Sequence, residues 1–190
     1  MKIALVGHSQ IPVDLYYPNA VITYFKKPGA LARFCLDYPE TRGVLNDTFD
    51  LVIIWVGSND IRPNCGLDYL PSKIADIATE IQNRTGADIR IVLIEPRDCP
   101  PGNRNQITRA EYIRIQKGVN KRIIRRCLEV DTWAVIYTTG FPAFNLDEGG
   151  VHFNHRGRIV MKRRICGSIA RWAFFKFPDQ HAGGNFAGGN

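Results

Sequence analysis

No stretch of this 190-residue chain approaches the roughly 20 apolar residues of a membrane span. The apolar run Ile3-Ala4-Leu5-Val6 ends at Gly7, too short for the core of a signal peptide. The expectation is a protein that stays inside the cell, in the cytoplasm. Cysteine is scarce and scattered: Cys35, Cys65, Cys99, Cys127 and Cys166 form no CxxC pair and no zinc spacing. An odd, dispersed set argues against a disulfide framework and for ordinary reduced thiols. There is no internal repeat, and no linker divides the chain. Neither an aromatic–basic RNA-binding motif nor a zinc knuckle is present. One domain over 1–178 is expected, followed by a Gly/Asn-rich tail over 179–190 that its composition makes flexible.

What is present is enough for one sizeable core, since 45% of the residues are hydrophobic. The net charge of +7 is concentrated. Lys117, Lys121, Arg122, Arg125 and Arg126 share one helical segment, and Arg156, Arg158, Lys162, Arg163, Arg164 and Arg171 share another. Such a field favours polyanions (nucleic acid, anionic lipid or an acidic substrate), but charge runs usually mean only solvated helix faces. That plainer reading is preferred, with weak, non-specific contact with nucleic acid through these helices as the alternative.

Apolar runs alternate with helical patterns. Lys2–Gly7, Asn19–Tyr24, Phe49–Val56, Asp88–Glu95 and Trp133–Tyr137 read as strands, several with the Val/Ile content of buried parallel strands. Apolar spacing predicts helices over Ser72–Thr85, Arg109–Val130 and His155–Phe175, and Ala30–Cys35 can open another. Gly86 is placed to cap the first of these, and Thr108 or Gln106 to start the second. This alternation predicts an α/β fold: a three-layer α/β/α sandwich around a mainly parallel five-stranded sheet, flavodoxin-like in plan. Sites in such sheets form at the carboxyl ends of the strands.

Four short blocks fall at those ends. Gly7-His8-Ser9 follows the first strand, and Gly29 sits in a Lys-Pro-Gly-Ala turn. Gly57-Ser58-Asn59-Asp60 follows the third strand, and Val151-His152-Phe153-Asn154 precedes the last helix. A serine, a glycine, an asparagine and a histidine are what acyl transfer requires. Ser9 attacks, the backbone of Ser9 and Gly29 and the amide of Asn59 hold the oxyanion, and His152 moves the proton. Each has a structural competitor: a serine in such a place is often a helix cap, and Asn59 can simply build a turn. Asp60 reads as a loop tie, and His155, one turn from His152, is the rival base.

From Lys2 to about Ala173, the order and spacing of these blocks resemble the SGNH hydrolases, or GDSL esterase/lipase family. Gly-Ser-Asn-Asp after Asp-Leu-Val-Ile-Ile-Trp-Val carries the resemblance most strongly, then Gly-Val-His-Phe-Asn-x-x-Gly. Ile91–Asp98 is similar to the strand and Pro-Arg loop of small single-domain members. Val119-Asn120-Lys121, with Cys127, is similar to esterase domains of some retrotransposon-related proteins. The resemblance implies a carboxylic ester hydrolase acting on a small acyl or acetyl ester, with no metal and no organic cofactor. Two positions depart from the family. His8 stands where Gly-Asp-Ser has its Asp, which puts a second imidazole beside Ser9. The triad acid, three residues before the histidine, is Gly149, so Asp147 or Glu148 must reach back across a pliable two-glycine loop. If neither does, the site is a weak Ser–His dyad. The alternative is a binding module that keeps the fold without the chemistry, associated with nucleic acid. Pro100–Asn105 is expected to form a mobile rim.

Overall fold

The computed structural model describes residues 1–98, 106–138, 140 and 145–178. Cys99, the 100–105 rim and the 179–190 tail lie outside the described residues. Five strands form one sheet: β1 (Lys2–Gly7), β2 (Val21–Lys26), β3 (Leu51–Trp55), β4 (Asp88–Val92) and β5 (Trp133–Ile136). Their order is β2-β1-β3-β4-β5, and every pairing is parallel. This is the α/β architecture the alternation predicts.

The alternating strand side chains divide the core in two. Ala4, Val6, Val52, Ile54, Ile89 and Ile91 face α2 (Tyr69–Thr85) and α3 (Arg109–Cys127), against Ile74, Ala78, Ile115 and Val119. Ile3, Leu5, Leu51, Ile53 and Trp55 face the other way, against Met161, Ile165, Ile169 and Trp172 of α4 (His155–Lys176). Burying each Val, Leu, Ile or Met among these side chains contributes about 1.5–3 kcal/mol, so helices on both faces are the low-energy arrangement. Gly86, at φ +74°, ends α2, and the Thr108 hydroxyl caps α3 by accepting from the Glu111 N–H. Burial pushes the Cys35 thiol up to about 12 and that of Cys127 to about 11, so both stay protonated at neutral pH.

Two expectations need correction. The second strand begins two residues later than the apolar run suggests, because a turn over Tyr17–Ala20, with Asn19 at φ +59°, occupies its expected start. The helix proposed from Ala30 is only a single 3-10 turn, Ala32–Phe34. Tyr38 precedes Pro39 and is held extended at φ −73°, ψ 130°, which prevents continuation. The one-turn α1 (Pro39–Arg42) follows instead. No described helix is long and apolar enough to cross a membrane.

Candidate active site

β1 ends at Gly7, whose φ of +148° and tight surroundings allow no side chain: a Cβ there would lie 1.9 Å from the Trp55 carbonyl oxygen. The chain therefore turns sharply past the sheet edge and presents Ser9, half-buried, above β1. The Ser9 Oγ lies 3.3 Å from His152 Nε2. On the far side of the same ring, Nδ1 faces the Asp147 carboxylate at 3.5 Å.

The histidine loop is bent to make this possible. Asp147 donates its N–H to the His152 carbonyl at 2.7 Å, and its Oδ1 accepts from the N–H groups of Val151 and His152, each at 3.2 Å. Gly150, at φ +63°, packs where a Cβ would meet the Asp98 Cβ at 2.4 Å, and its carbonyl accepts from the Asp98 N–H. Of the two acids expected to reach back, Asp147 is therefore the one beside the ring. Glu148 is exposed, and no ion pair joins it to His152 among the described residues. The rival His155 lines the same cleft, but the ring within hydrogen-bonding distance of Ser9 is that of His152.

Gln10 went unnoticed in the sequence. Its amide donates to the Val151 carbonyl at 2.8 Å and accepts from the Phe153 N–H at 3.1 Å. One side chain thus grips the backbone on both sides of His152 and fixes it to the Ser9 loop. No sequence signal marks this, because the partners are about 140 residues away.

Gly29 lies in its turn at φ +74°, with open space where a side chain would be. Among the described residues, the N–H groups of Ser9 and Gly29 donate to no other group of the chain. Asn59 uses one amide hydrogen on the Ala30 carbonyl at 3.1 Å and keeps the other. Its Oδ1 accepts from Arg97 at 3.0 Å, and the same guanidinium nitrogen donates to Ser58 Oγ at 2.7 Å. Asp60 ties the loop as expected, accepting the Ala32 N–H at 2.8 Å.

Beneath this surface lies a buried polar network. His8 points inward, away from Ser9, so the second imidazole is not beside the serine. Its Nδ1 accepts from the Gln10 N–H, which places the ring proton on Nε2, 3.2 Å from Ser58 Oγ. Glu95 accepts from the Trp55 indole at 3.1 Å and lies 3.6 Å from Arg97 and 3.8 Å from His8. Burial, with help from Arg97, outweighs the attraction of Glu95 and pulls the His8 pKa down to about 4, so the ring is neutral at pH 7. Burial alone would raise the Glu95 carboxyl. The His8 ring, the Arg97 charge and the Trp55 hydrogen bond outweigh it and hold the carboxyl below its usual range. Arg97 was legible only as part of a Pro-Arg loop, and its hold on Asn59 was not.

The basic helices are partly engaged internally. Arg122 pairs with Asp68, Arg126 donates to Ser72, and Lys162 pairs with Asp14. Among the described residues, no group of three or more His, Cys, Asp or Glu converges on a point suited to a metal ion.

No family model matches the sequence, and no curated protein matches it. Solved structures do match. A lipase/acylhydrolase from Enterococcus faecalis superposes with a TM-score of 0.65 at 17% identity, covering 90% of this chain and 96% of the other. A lipolytic G-D-S-L family protein from Veillonella parvula gives 0.66 at 18%, covering 90% and 98%. A carbohydrate esterase family 3 structure from Talaromyces cellulolyticus gives 0.66 at 15%, covering 90% and 97%. The chain has the fold of the SGNH hydrolases, as the motif order implies.

Proposed function

We propose that this chain is a serine hydrolase of the SGNH type that cleaves a small acyl ester, acetyl esters included. The observation that carries the reading is the line from Ser9 Oγ through His152 to Asp147, 3.3 Å on one side of the ring and 3.5 Å on the other. A nucleophile, a base and an acid that orients the base are the parts acyl transfer requires.

In the proposed reaction, Ser9 Oγ forms a bond to the ester carbonyl carbon while His152 Nε2 takes the hydroxyl proton. Negative charge gathers on the carbonyl oxygen, where the N–H groups of Ser9 and Gly29 and the spare Asn59 amide hydrogen receive it. The bond from carbonyl carbon to alcohol oxygen then breaks, and His152 gives its proton to the departing alcohol. Water repeats the sequence on the acyl-enzyme: His152 takes its proton, the acid leaves and Ser9 is restored. Asp147 stabilises the imidazolium in both halves. Each step balances with the ester and water alone.

The Gly149 substitution and the basic helices both favour a non-catalytic binding module, and the first is the one that the histidine loop bears on. Asp147 beside His152 supports the catalytic reading instead. The test is reaction with a fluorophosphonate, together with p-nitrophenyl acetate turnover. The expected result is stoichiometric labelling and turnover in the wild type and neither in Ser9→Ala. Equal labelling of that variant removes Ser9 from the mechanism.

A further inference from the structure

A cleft of about 290 Å³ opens directly from Ser9 and His152. It runs between the 9–14 loop, the end of β2 and the first two turns of α4. Lys26, Arg158 and Lys162 line it, and among the described residues Asp14 is the one lining carboxylate. Lys162 pairs with Asp14 and holds that carboxyl below its usual range. Among the described residues no ion pair joins Lys26 or Arg158 to a carboxylate, although the charge of Arg158 also acts on Asp14. Lys26 reaches only the Ile11 carbonyl, at 3.5 Å. Arg158, which lines the cleft, donates its Nε to the Phe153 carbonyl at 3.1 Å, and among the described residues its two terminal nitrogens donate to no other group of the chain. Three cations against one carboxylate leave the cleft two charges positive, next to the reacting serine. Concave walls concentrate such a field on whatever enters.

The position of the cleft also decides which arm of an ester it serves. Gly29 and Asn59 are not among its lining residues, whereas His152 is. The leaving oxygen must lie near His152 Nε2 to receive the proton, so the alcohol departs on the His152 side. We infer that the ester taken by this site carries an anionic group, a carboxylate or a phosphate, on its alcohol arm, bound by Lys26 and Arg158. This rests on the hydrolase reading above. Arg158 suits the task because its planar fork matches an oxyanion with two parallel hydrogen bonds, and Lys26 adds a point charge. Lys162, engaged by Asp14, keeps that carboxylate from competing with the substrate.

The experiment compares two acetyl esters of similar shape, 4-acetoxybenzoate and its neutral methyl ester, on the wild type, Lys26→Gln, Arg158→Gln and the double variant. The readout is the ratio of kcat/KM for the anionic ester to that for the neutral one. The double variant should lower this ratio by about ten- to a hundredfold, the size expected for losing charge-assisted contacts. High salt should lower the wild-type ratio towards that of the double variant. A ratio equal in the wild type and the double variant overturns the inference and leaves the hydrolase reading intact. So does a Lys26- and Arg158-dependent preference seen only with 4-nitrophenyl hemisuccinate, whose charge lies on the acyl arm. Binding of the product 4-hydroxybenzoate, followed by NMR, separates the two claims. Binding that weakens in the double variant, without turnover of either ester by the wild type, supports the anion site and rejects the hydrolase.

Discussion

Asp147 and His152 are joined at three points: the Asp147 N–H to the His152 carbonyl, the His152 N–H to Asp147 Oδ1, and Oδ2 facing the ring at Nδ1. Two of these are backbone contacts that hold the loop. The third faces the nitrogen opposite the serine. The carboxylate is five residues from the histidine in sequence, yet it stands where an acid three residues away would have to reach. Asp147→Ala should therefore lower kcat by well over tenfold and up to about 10⁴-fold, the range for losing the acid that orients a catalytic histidine. Glu148→Ala should stay near the wild-type rate. Steady-state kinetics on a neutral ester checks both, and equal losses in the two variants would count against the assignment.

Restoring an acid at position 149 should not help the wild type. A Cβ on Gly149 would lie 3.5 Å from Asp147 Oδ1, so Gly149→Asp brings a second carboxylate against the first. The expected outcome is unchanged or reduced kcat. In the Asp147→Ala background the same change should recover part of the lost rate, since the space and the charge are then free. Four kinetic measurements complete the cycle, and a gain from Gly149→Asp in the wild type would show that Asp147 is not the working acid.

Arg97 holds Asn59 by its oxygen and so fixes the amide, whose nitrogen binds the Ala30 carbonyl and keeps one hydrogen. Arg97→Lys keeps a positive charge beside Glu95 but, with a shorter reach, withdraws the terminal nitrogen that donates to both Ser58 and Asn59. The expected effect is a fall in kcat of about tenfold or more with KM nearly unchanged, as for a weakened oxyanion donor. A rise in KM with kcat intact would place Arg97 in substrate binding instead.

The buried network predicts acid sensitivity. His8 titrates near 6.5 when unfolded and about 4 when folded, so below 6.5 the unfolded chain binds the extra proton. Stability should decline as pH falls from about 6.5 to about 4, by on the order of 3 kcal/mol for this group. Glu95 has its folded pKa depressed, so its contribution is present above the ordinary carboxylate range and is lost at still lower pH. Both slopes have the same sign. Urea unfolding across this range should show His8→Gln with a shallower decline above pH 4, and a parallel decline would exclude His8 as its source.

His8→Asp turns Gly7-His8-Ser9 into a Gly-Asp-Ser block but sets a carboxylate beside buried Glu95. It should destabilise the fold, and Glu95→Gln in the same chain should relieve most of the loss. Thermal melts of the two variants test this pairing, and equal melting temperatures would refute it.

Much of the fold was readable because buried parallel strands and amphipathic helices write their periods directly into the sequence. β1 matches its expected bounds, and Gly86 and Thr108 cap as their residue types suggest. The positions of Ser9, Gly29 and Asn59 just past strand ends were readable because strand ends are readable. The choice between Asp147 and Glu148 was not, since it depends on how the chain bends at Gly149 and Gly150. Gln10 and Arg97 were hidden for a different reason. Their partners come from other strands, and no local pattern marks a side chain that bonds across the sheet. His8 looked like a neighbour of Ser9 because adjacent residues share a block, but its ring is buried against the Gln10 N–H and the Ser58 hydroxyl, partners that no local pattern marks.

The Ser9–His152 pair joins positions 143 residues apart, and Gln10 binds the same distant loop. Closing so long a loop carries an entropic cost that local contacts do not repay, so these bonds form only once the intervening chain is in place. The serine of the first strand thus gains its partner only after the last third of the polypeptide has docked. A growing or truncated chain that has already built most of its sheet carries Ser9 without His152 beside it, and under the proposed mechanism reactivity at Ser9 then reports completion of folding.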